Sequence, residues 1–341
     1  MRLENILALT HGKLTNSPFV NSFENIVFDA KAVKRGDLFM AYDDNTIEEA
    51  LFNGAYGIVF DKPTQIRDSE TAWIKVASLD DALKRILRFM LIDKEIEVYE
   101  CHEIILKLAL QVMSESNFIA LEGDIKTLYK KLHNLDHSAI VLFSPTLTPA
   151  DLFTKIKQMP KNSQELIKIV EQTLFETSFI FDNTFYERQQ ISPFFIPYLE
   201  QLLHFFKFLK INFRLRKFTP IDHFEAVFIN KNFEIKEFGT SDKVLIFEKD
   251  TTLFEKEMNF LQKQAAWANI LYVIPSEILK TIDITLQKSI NIISYEKENE
   301  IQNLLNKNSS FHFTLIIGSD KSILTKPLIK HNELSLFDFS N

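Results

Sequence analysis

Glycine is scarce in this chain: 7 in 341 positions, about 2% where ordinary proteins carry roughly 7%. The seven are Gly12, Gly36, Gly54, Gly57, Gly123, Gly239 and Gly318, and only Gly54 and Gly57 lie within a few residues of each other. A phosphate-cradling loop needs at least two close glycines, because backbone N–H groups must reach the anion with no Cβ in the way. No stretch offers a dinucleotide fingerprint or an intact P-loop. Cysteine is scarcer still. Cys101 stands alone, which excludes internal disulfides and cysteine-based zinc sites. No apolar run reaches the roughly 18 residues of a membrane span. The opening MRLENILALTHGKL has no long apolar stretch of the signal-peptide kind, so a cytoplasmic protein with no membrane partner is expected. Positive charge is also short, with 39 Lys and Arg against 46 Asp and Glu and a net charge of −7. Non-specific nucleic-acid binding needs a positive field, so no nucleic-acid partner is expected either.

What is present fits a folded globular chain: 46% hydrophobic residues and 25% charged ones, with length enough for two or three domains. The 32 phenylalanines are spread along the whole chain and read as core filler rather than as an aromatic binding surface. Residues 1–92 alternate strands and helices. FENIVFD, DLFMAY, GIVFD and WIKVA read as strands, TIEEALFNGA as a helix with Ile47, Ala50, Leu51 and Ala55 on one face, and SLDDALKRILRFML as a helix capped by Ser78. Residues 93–222 read as mostly helical, with helices over ECHEIILKLALQVMSES, IKTLYKKLHNL, LTPADLFTKIKQMP, SQELIKIVEQTLFE and SPFFIPYLEQLLHFFKFLKI and short strands at NFIALEGD and SAIVLFSP. Residues 223–341 return to an α/β pattern. EAVFIN and FEIKEFG read as a hairpin, and KVLIFEKD, NILYVIP, NIISYEK and HFTLIIGS as strands of a mainly parallel, doubly wound sheet.

The first 60 residues carry a more specific pattern. Asp29-Ala30-Lys31 follows a strand, then come Val33, Gly36-Asp37-Leu38-Phe39-Met40-Ala41, a helix, and Gly54-Ala55 before GIVFD. This resembles the N-terminal domain of the Mur ligases, whose pattern is D-S-R, a short gap, G-D-L-F-F-A, a helix and G-A before a strand. It is most similar to the MurF branch, which adds D-Ala-D-Ala to a UDP-MurNAc-tripeptide. The resemblance implies a three-domain α/β protein divided at 1–92, 93–222 and 223–341. Its first domain is of the type that holds the UDP-sugar, with Asp29, Lys31 and Phe39 as candidate contacts. The family's serine and arginine are Ala30 and Lys31 here, and its D-G-H segment is missing.

Further along, FIALEGDIKTLYKKL occupies the position of the family's strand, T-G-x-N-G-K-T loop and helix, with Gly123, Lys126 and Thr127 as remnants. The second glycine is gone, the loop is one residue short, and Glu122 and Asp124 bring carboxylates to where phosphates would lie. Like charges repel a triphosphate, so the residues themselves read as a simple strand–turn–helix. The family's magnesium-binding glutamate is replaced by Phe143-Ser144-Pro145. Near the other end, LIIGSDKSILTKPLIK resembles L-V-K-G-S-R-x-x-x-M-E-x-V and keeps Gly318 and Ser319. Phe218-x-Pro220 before Phe224-Glu225 resembles the start of the family's C-terminal domain, with His223 in place of an arginine.

Three smaller patterns carry less. His133 and His137 are four apart on a helix, without a third ligand nearby. Cys101 and His102 are neighbours whose side chains would point apart. Glu333-Leu334-Ser335-Leu336-Phe337 resembles the Q-L-S-L-F motif that docks bacterial proteins on the replication sliding clamp. The expectation is a degenerate MurF-like protein without ATP, Mg²⁺ or any other cofactor. It would be catalytically inactive and serve a binding or regulatory role in peptidoglycan precursor synthesis, with a UDP-MurNAc-type ligand or another cell-wall enzyme as partner. The alternatives are an active ATP-dependent amide ligase with an atypical P-loop and an interaction adaptor.

Overall fold

The computed structural model of the chain describes residues 1–115, 117–135, 138–162, 164–241, 243–282 and 290–324. The chain forms two compact units, Met1–Lys161 with Phe205–Arg214, and Asn162–His204 with Leu215–Asn341. Among the described residues no helix is long and apolar enough to cross a membrane.

In the first unit, α1 (Leu3–Thr10) leads into a sheet of β1 (Lys13–Leu14), β2 (Ile26–Val27), β3 (Leu38–Met40), β4 (Gly57–Phe60) and β5 (Ala72–Lys75), in the order β1-β5-β4-β3-β2. All neighbours are parallel except β1, which runs antiparallel to β5. Strand alternation sends Leu38, Met40, Val59 and Ile74 to one face and Phe39, Ile58, Phe60 and Trp73 to the other. The first face is covered by α1 and α3 (Leu79–Ile92), the second by α2 (Ile47–Phe52). Because both faces are covered, β4 is buried at every position, as parallel strands usually are. Ser78 caps α3 by accepting the Asp81 N–H at 3.3 Å, and Asp80 and Asp81 sit in its first turn.

The same unit continues through β6 (Glu97–Glu100), α4 (Glu103–Ala109), β7 (Met113–Ser114), β8 (Phe118–Leu121), α5 (Ile125–Leu132), β9 (Ile140–Phe143) and β10 (Lys157–Gln158). Four of these strands make a second, all-parallel sheet in the order β10-β6-β9-β8. Val98, Leu121, Val141 and Phe143 join α3 and α5 in the core that begins at Leu3.

The second unit opens with an antiparallel meander, β11 (Lys168–Gln172), β12 (Thr177–Phe181) and β13 (Thr184–Gln189). Asp182 and Asn183, both at positive φ, make the two-residue turn between β12 and β13. Helix α6 (Ile196–Phe208) follows, started by Ser192, whose hydroxyl accepts the Phe194 N–H. The chain then contributes β14 (Phe213–Arg214), paired with β7 in the first unit's own fold. The stretch 93–222 is therefore not mostly helical, contrary to expectation. SQELIKIVEQTLFE contains a strand, and LTPADLFTKIKQMP has only a single 3-10 turn, Ala150–Leu152, before β10. ECHEIILKLALQVMSES stops being helical after Ala109, because Met113–Ser114 pairs with residues a hundred positions away.

The rest of the second unit is one sheet of β15 (Glu225–Ile229), β16 (Lys243–Glu248), β17 (Ile270–Pro275), β18 (Ile292–Tyr295) and β19 (Phe313–Ile317), in the order β15-β16-β19-β17-β18. Four strands are parallel, and β15 is antiparallel at the edge. The expected hairpin of EAVFIN with FEIKEFG is reduced to a bridge between Ile229 and Ile235, since β15 takes its ladder from β16. Helix α8 (Ile301–Lys307) packs Ile301 and Leu305 on the face of Leu245, Phe247, Leu271 and Ile316. Helix α7 (Phe254–Gln264) lies on the other face, with Phe254 edge-on to Tyr272 at 6.0 Å. Helices on both faces make the sheet doubly wound.

Candidate functional site

The turn before β3 is held by a residue that pattern reasoning assigned no role. Asp37 is buried, accepting the Asn25 amide at 2.9 Å and the Lys34 N–H at 2.8 Å. Gly36 at φ +100° makes the turn possible. Asp29 and Lys31 come together on one exposed turn, where the Asp29 carboxylate accepts the Lys31 N–H at 3.0 Å. Phe39 does not join them: its ring is buried with Ala30, Val33 and Trp73.

The loop between β8 and α5 is the second candidate. Gly123, at φ +129°, turns the chain out of β8, and a Cβ there would stand 2.8 Å from the Thr127 methyl. Asp124 is the N-cap of α5 and accepts the Thr127 N–H at 2.8 Å. The Thr127 hydroxyl, then its N–H, hold the Asp124 carboxyl below its ordinary range, so it is ionised at neutral pH. Lys126 lies over the Tyr42 ring at 4.4 Å. Tyr42 itself donates to Asp80 at 2.8 Å.

Around this turn the carboxyl edge of the sheet is occupied by its own side chains. Lys107 reaches Glu122 at 3.4 Å and Glu103 at 3.8 Å. Past the end of β9, the Ser144 and Thr146 hydroxyls are 2.9 Å apart, and Thr146 donates to Glu103 at 2.6 Å. Thr148 donates to the Leu121 carbonyl at 3.2 Å. Of this set only Glu122 and Ser144 were marked by the sequence. Glu103, Lys107 and Thr146 are assembled from separate segments, and no local spacing announces them.

The carboxyl edge of the second unit's sheet holds a different group. Gly318, at φ +77°, ends β19 and donates its N–H to the Glu248 carbonyl at 2.7 Å. A Cβ at this position would lie 3.0 Å from both Pro275 and the Tyr295 hydroxyl, which donates to the Ile317 carbonyl at 2.6 Å. Ser319 follows and is buried. Glu248, the last residue of β16, has no exposed surface. Its carboxylate accepts the Phe224 N–H at 3.0 Å and the Asp250 N–H at 2.7 Å, and pairs with His223 Nδ1 at 2.8 Å. Glu257, on α7, is equally buried, and burial first and Glu248 second push its carboxyl well above the ordinary range. Ligands of open α/β sheets bind beyond the carboxyl ends of the strands, so this edge has the right position for a site. The sequence marked Gly318, Ser319 and His223 but neither glutamate.

The remaining candidates are structural. Burial pushes the Cys101 thiol upward, and its Sγ donates to the Phe143 carbonyl at 3.4 Å, so it is no nucleophile. His102 caps α4 by accepting the Ile104 N–H. His133 stacks on Tyr129 at 4.8 Å and bonds to the Tyr129 carbonyl, while His137 lies outside the described residues. The Glu333–Phe337 segment lies outside them as well.

No family model matches this sequence, and no curated protein does. Solved structures do resemble the fold. MurF from Acinetobacter baumannii is 10% identical, covers 96% of this chain and 98% of its own, and has a TM-score of 0.48. MurF ligase from Thermotoga maritima, solved in complex with ADP, is 11% identical over 88% of this chain and 95% of its own, at a TM-score of 0.43. A UDP-N-acetylmuramoyl-L-alanyl-D-glutamate–2,6-diaminopimelate ligase is 9% identical over 94% and 93%, at a TM-score of 0.31.

Proposed function

We propose that this chain is a MurF-like protein that holds no ATP at the Gly123 turn and acts by binding, in a role tied to peptidoglycan precursor synthesis. The sequence pattern of residues 29–55 supports the family, and the three-part division at 92 and 222 belongs to the same reading. One observation carries the loss of ATP. The Thr127 N–H, which a P-loop would turn toward phosphate, is taken by the ionised Asp124 carboxylate at 2.8 Å. A triphosphate would have to displace that bond and sit against a negative charge, with Glu122 one residue before the turn glycine. An amide ligase that works through an acyl-phosphate needs the triphosphate and its magnesium to stabilise the charge that develops. On this reading the chain is not a ligase and carries no cofactor.

The test has three arms. A ligand at a hundred times its Kd stabilises a fold by about 2.7 kcal/mol, which is a readable thermal shift. Millimolar Mg-ATP should give none. Incubation with UDP-MurNAc-tripeptide, D-Ala-D-Ala and Mg-ATP should yield no ligated product; a product would overturn the proposal in favour of an active ligase with an atypical loop. Calorimetry with UDP-MurNAc-peptides should give heat. Its absence at millimolar ligand would leave a protein, such as another cell-wall enzyme, as the partner.

A further inference from the structure

Glu257 is a carboxyl group in an unusual situation. It lies on the buried side of α7 with no exposed surface, and among the described residues neither of its oxygens receives a hydrogen bond. An ionised carboxylate taken out of water without donors is strongly disfavoured, and such a group takes up a proton instead. Glu248 is within hydrogen-bonding reach of it.

Glu248 is the hub of its surroundings. Its two oxygens already accept from the Phe224 and Asp250 N–H groups and meet His223 Nδ1. A carboxylate offers about four lone-pair sites, so these three partners leave one. A protonated Glu257 can donate into it, whereas an ionised one meets it as a second negative charge. The other groups facing Glu257 add no relief. Asp250, in the turn after β16, is acidic, and Tyr198, on α6, is a phenol raised by burial and then by Glu257 itself. His223, from the segment before β15, is engaged by Glu248.

What Glu248 holds is strained. Phe224 has φ +45°, a left-handed backbone that a bulky side chain rarely adopts and that persists only where its surroundings enforce it. The bond from the Phe224 N–H to Glu248 is such an enforcement.

We propose that Glu257 carries a buried proton that it donates toward Glu248, and that this proton locks the segment leading into β15 by keeping the Glu248 carboxylate on the Phe224 and Asp250 amides. When the proton leaves, the two charges repel across an apolar interior, Glu248 moves off the amides, and the strained turn at Phe224 is released. The proton is bound in the fold and already lost from the unfolded chain across the pH range that starts at the ordinary glutamate value of 4.5 and ends at the raised one. Over that range stability falls as pH rises, by up to about tenfold in the folding constant per pH unit.

Hydrogen exchange on the full chain tests this directly. Protection of the Phe224 and Asp250 amides should fall by up to about tenfold per pH unit as pH rises above the ordinary glutamate value of 4.5 in the wild type. In Glu257→Gln it should stay level, because a carboxamide N–H donates to Glu248 at every pH. A Glu257→Gln protein with the wild-type slope would overturn the proposal. Infrared spectroscopy of the wild type gives an answer that does not depend on a variant folding. A protonated carboxyl C=O band that survives above the ordinary glutamate value of 4.5 and disappears at higher pH is expected, and a spectrum without it would overturn the buried proton.

Discussion

At the end of β8 the chain turns through Gly123 into water; at the end of β19 it turns through Gly318 into a buried cluster of acids. Both turns use a glycine at positive φ beside acidic side chains at the carboxyl edge of a parallel sheet. Their acids are driven in opposite directions. Asp124, exposed, is held below the ordinary carboxylate range by the Thr127 hydroxyl and N–H. Glu257, buried beside Glu248, is held far above it. The same functional group is a capping anion in one place and a proton store in the other, because water solvates the first and nothing solvates the second.

Four measurements separate the two turns. The largest effect belongs to Glu248→Ala, which takes the carboxylate from the buried Phe224 N–H, the part-buried Asp250 N–H and His223 Nδ1. A loss of about 3–5 kcal/mol is expected by urea denaturation, the cost of removing one partner from a buried polar network. A loss below about 1 kcal/mol would mean that the cluster holds nothing. Next comes the pair of glycines. Alanine at Gly318 would stand 3.0 Å from the Pro275 ring and the Tyr295 hydroxyl, while alanine at Gly123 would stand 2.8 Å from the Thr127 methyl and 2.9 Å from its Cβ, which side-chain rotation cannot move. Both should cost about 1–3 kcal/mol, with Gly123→Ala the worse. Gly239→Ala, with nothing within 4 Å, reports the backbone cost alone. The reverse order would make the Gly318 turn the more tightly built.

A third effect is the sign of the pH dependence. Glu257, with a raised value in the fold, contributes a stability that is complete below its ordinary 4.5 and is lost as pH rises. Denaturation midpoints should therefore fall as pH rises above 4.5 toward the raised value in the wild type and flatten in Glu257→Gln. Asp124 works the other way: its contribution is present above its ordinary 3.8 and is lost as pH falls through its lower folded value. The smallest effect is Asp124→Ala, a modest drop in Tm at neutral pH that disappears in strong acid. Scanning calorimetry at both pH values checks it. If this variant also gained a thermal shift with Mg-ATP, the carboxylate would be the sole obstacle to phosphate at that turn.

Local patterns made much of the architecture legible. Apolar, β-branched runs marked β2 to β5 and β16 to β19, and Ser78 and Ser192 marked the starts of α3 and α6. Misreadings fell where pairing is distant. Met113–Ser114 is a strand only because Phe213–Arg214 lies beside it, and the helical look of SQELIKIVEQTLFE gave way to a ladder with Thr177–Phe181. The turn signal Asp182-Asn183 was available and would have suggested a hairpin. In the second unit, Glu257 sits in FEKEMNFLQKQ among charged residues that read as a solvated helix face, so its burial was not legible. Glu248 closes the apolar run VLIFE, and a terminal acid on a buried strand was its one visible cue.

Sequence alone determined what this protein lacks and where its regular elements begin. One cysteine leaves no disulfide, separated glycines leave no two-glycine phosphate cradle, and short apolar, β-branched runs dictate strands. These are properties of neighbouring residues. Whether an acid is a charge or a proton carrier was decided only by tertiary structure, because ionisation depends on how much water and how many donors surround the group. Glu122, Asp124, Glu248 and Glu257 are alike in sequence. The fold places the first two at a solvated turn and buries the others in one cluster, and from that placement their chemistry follows.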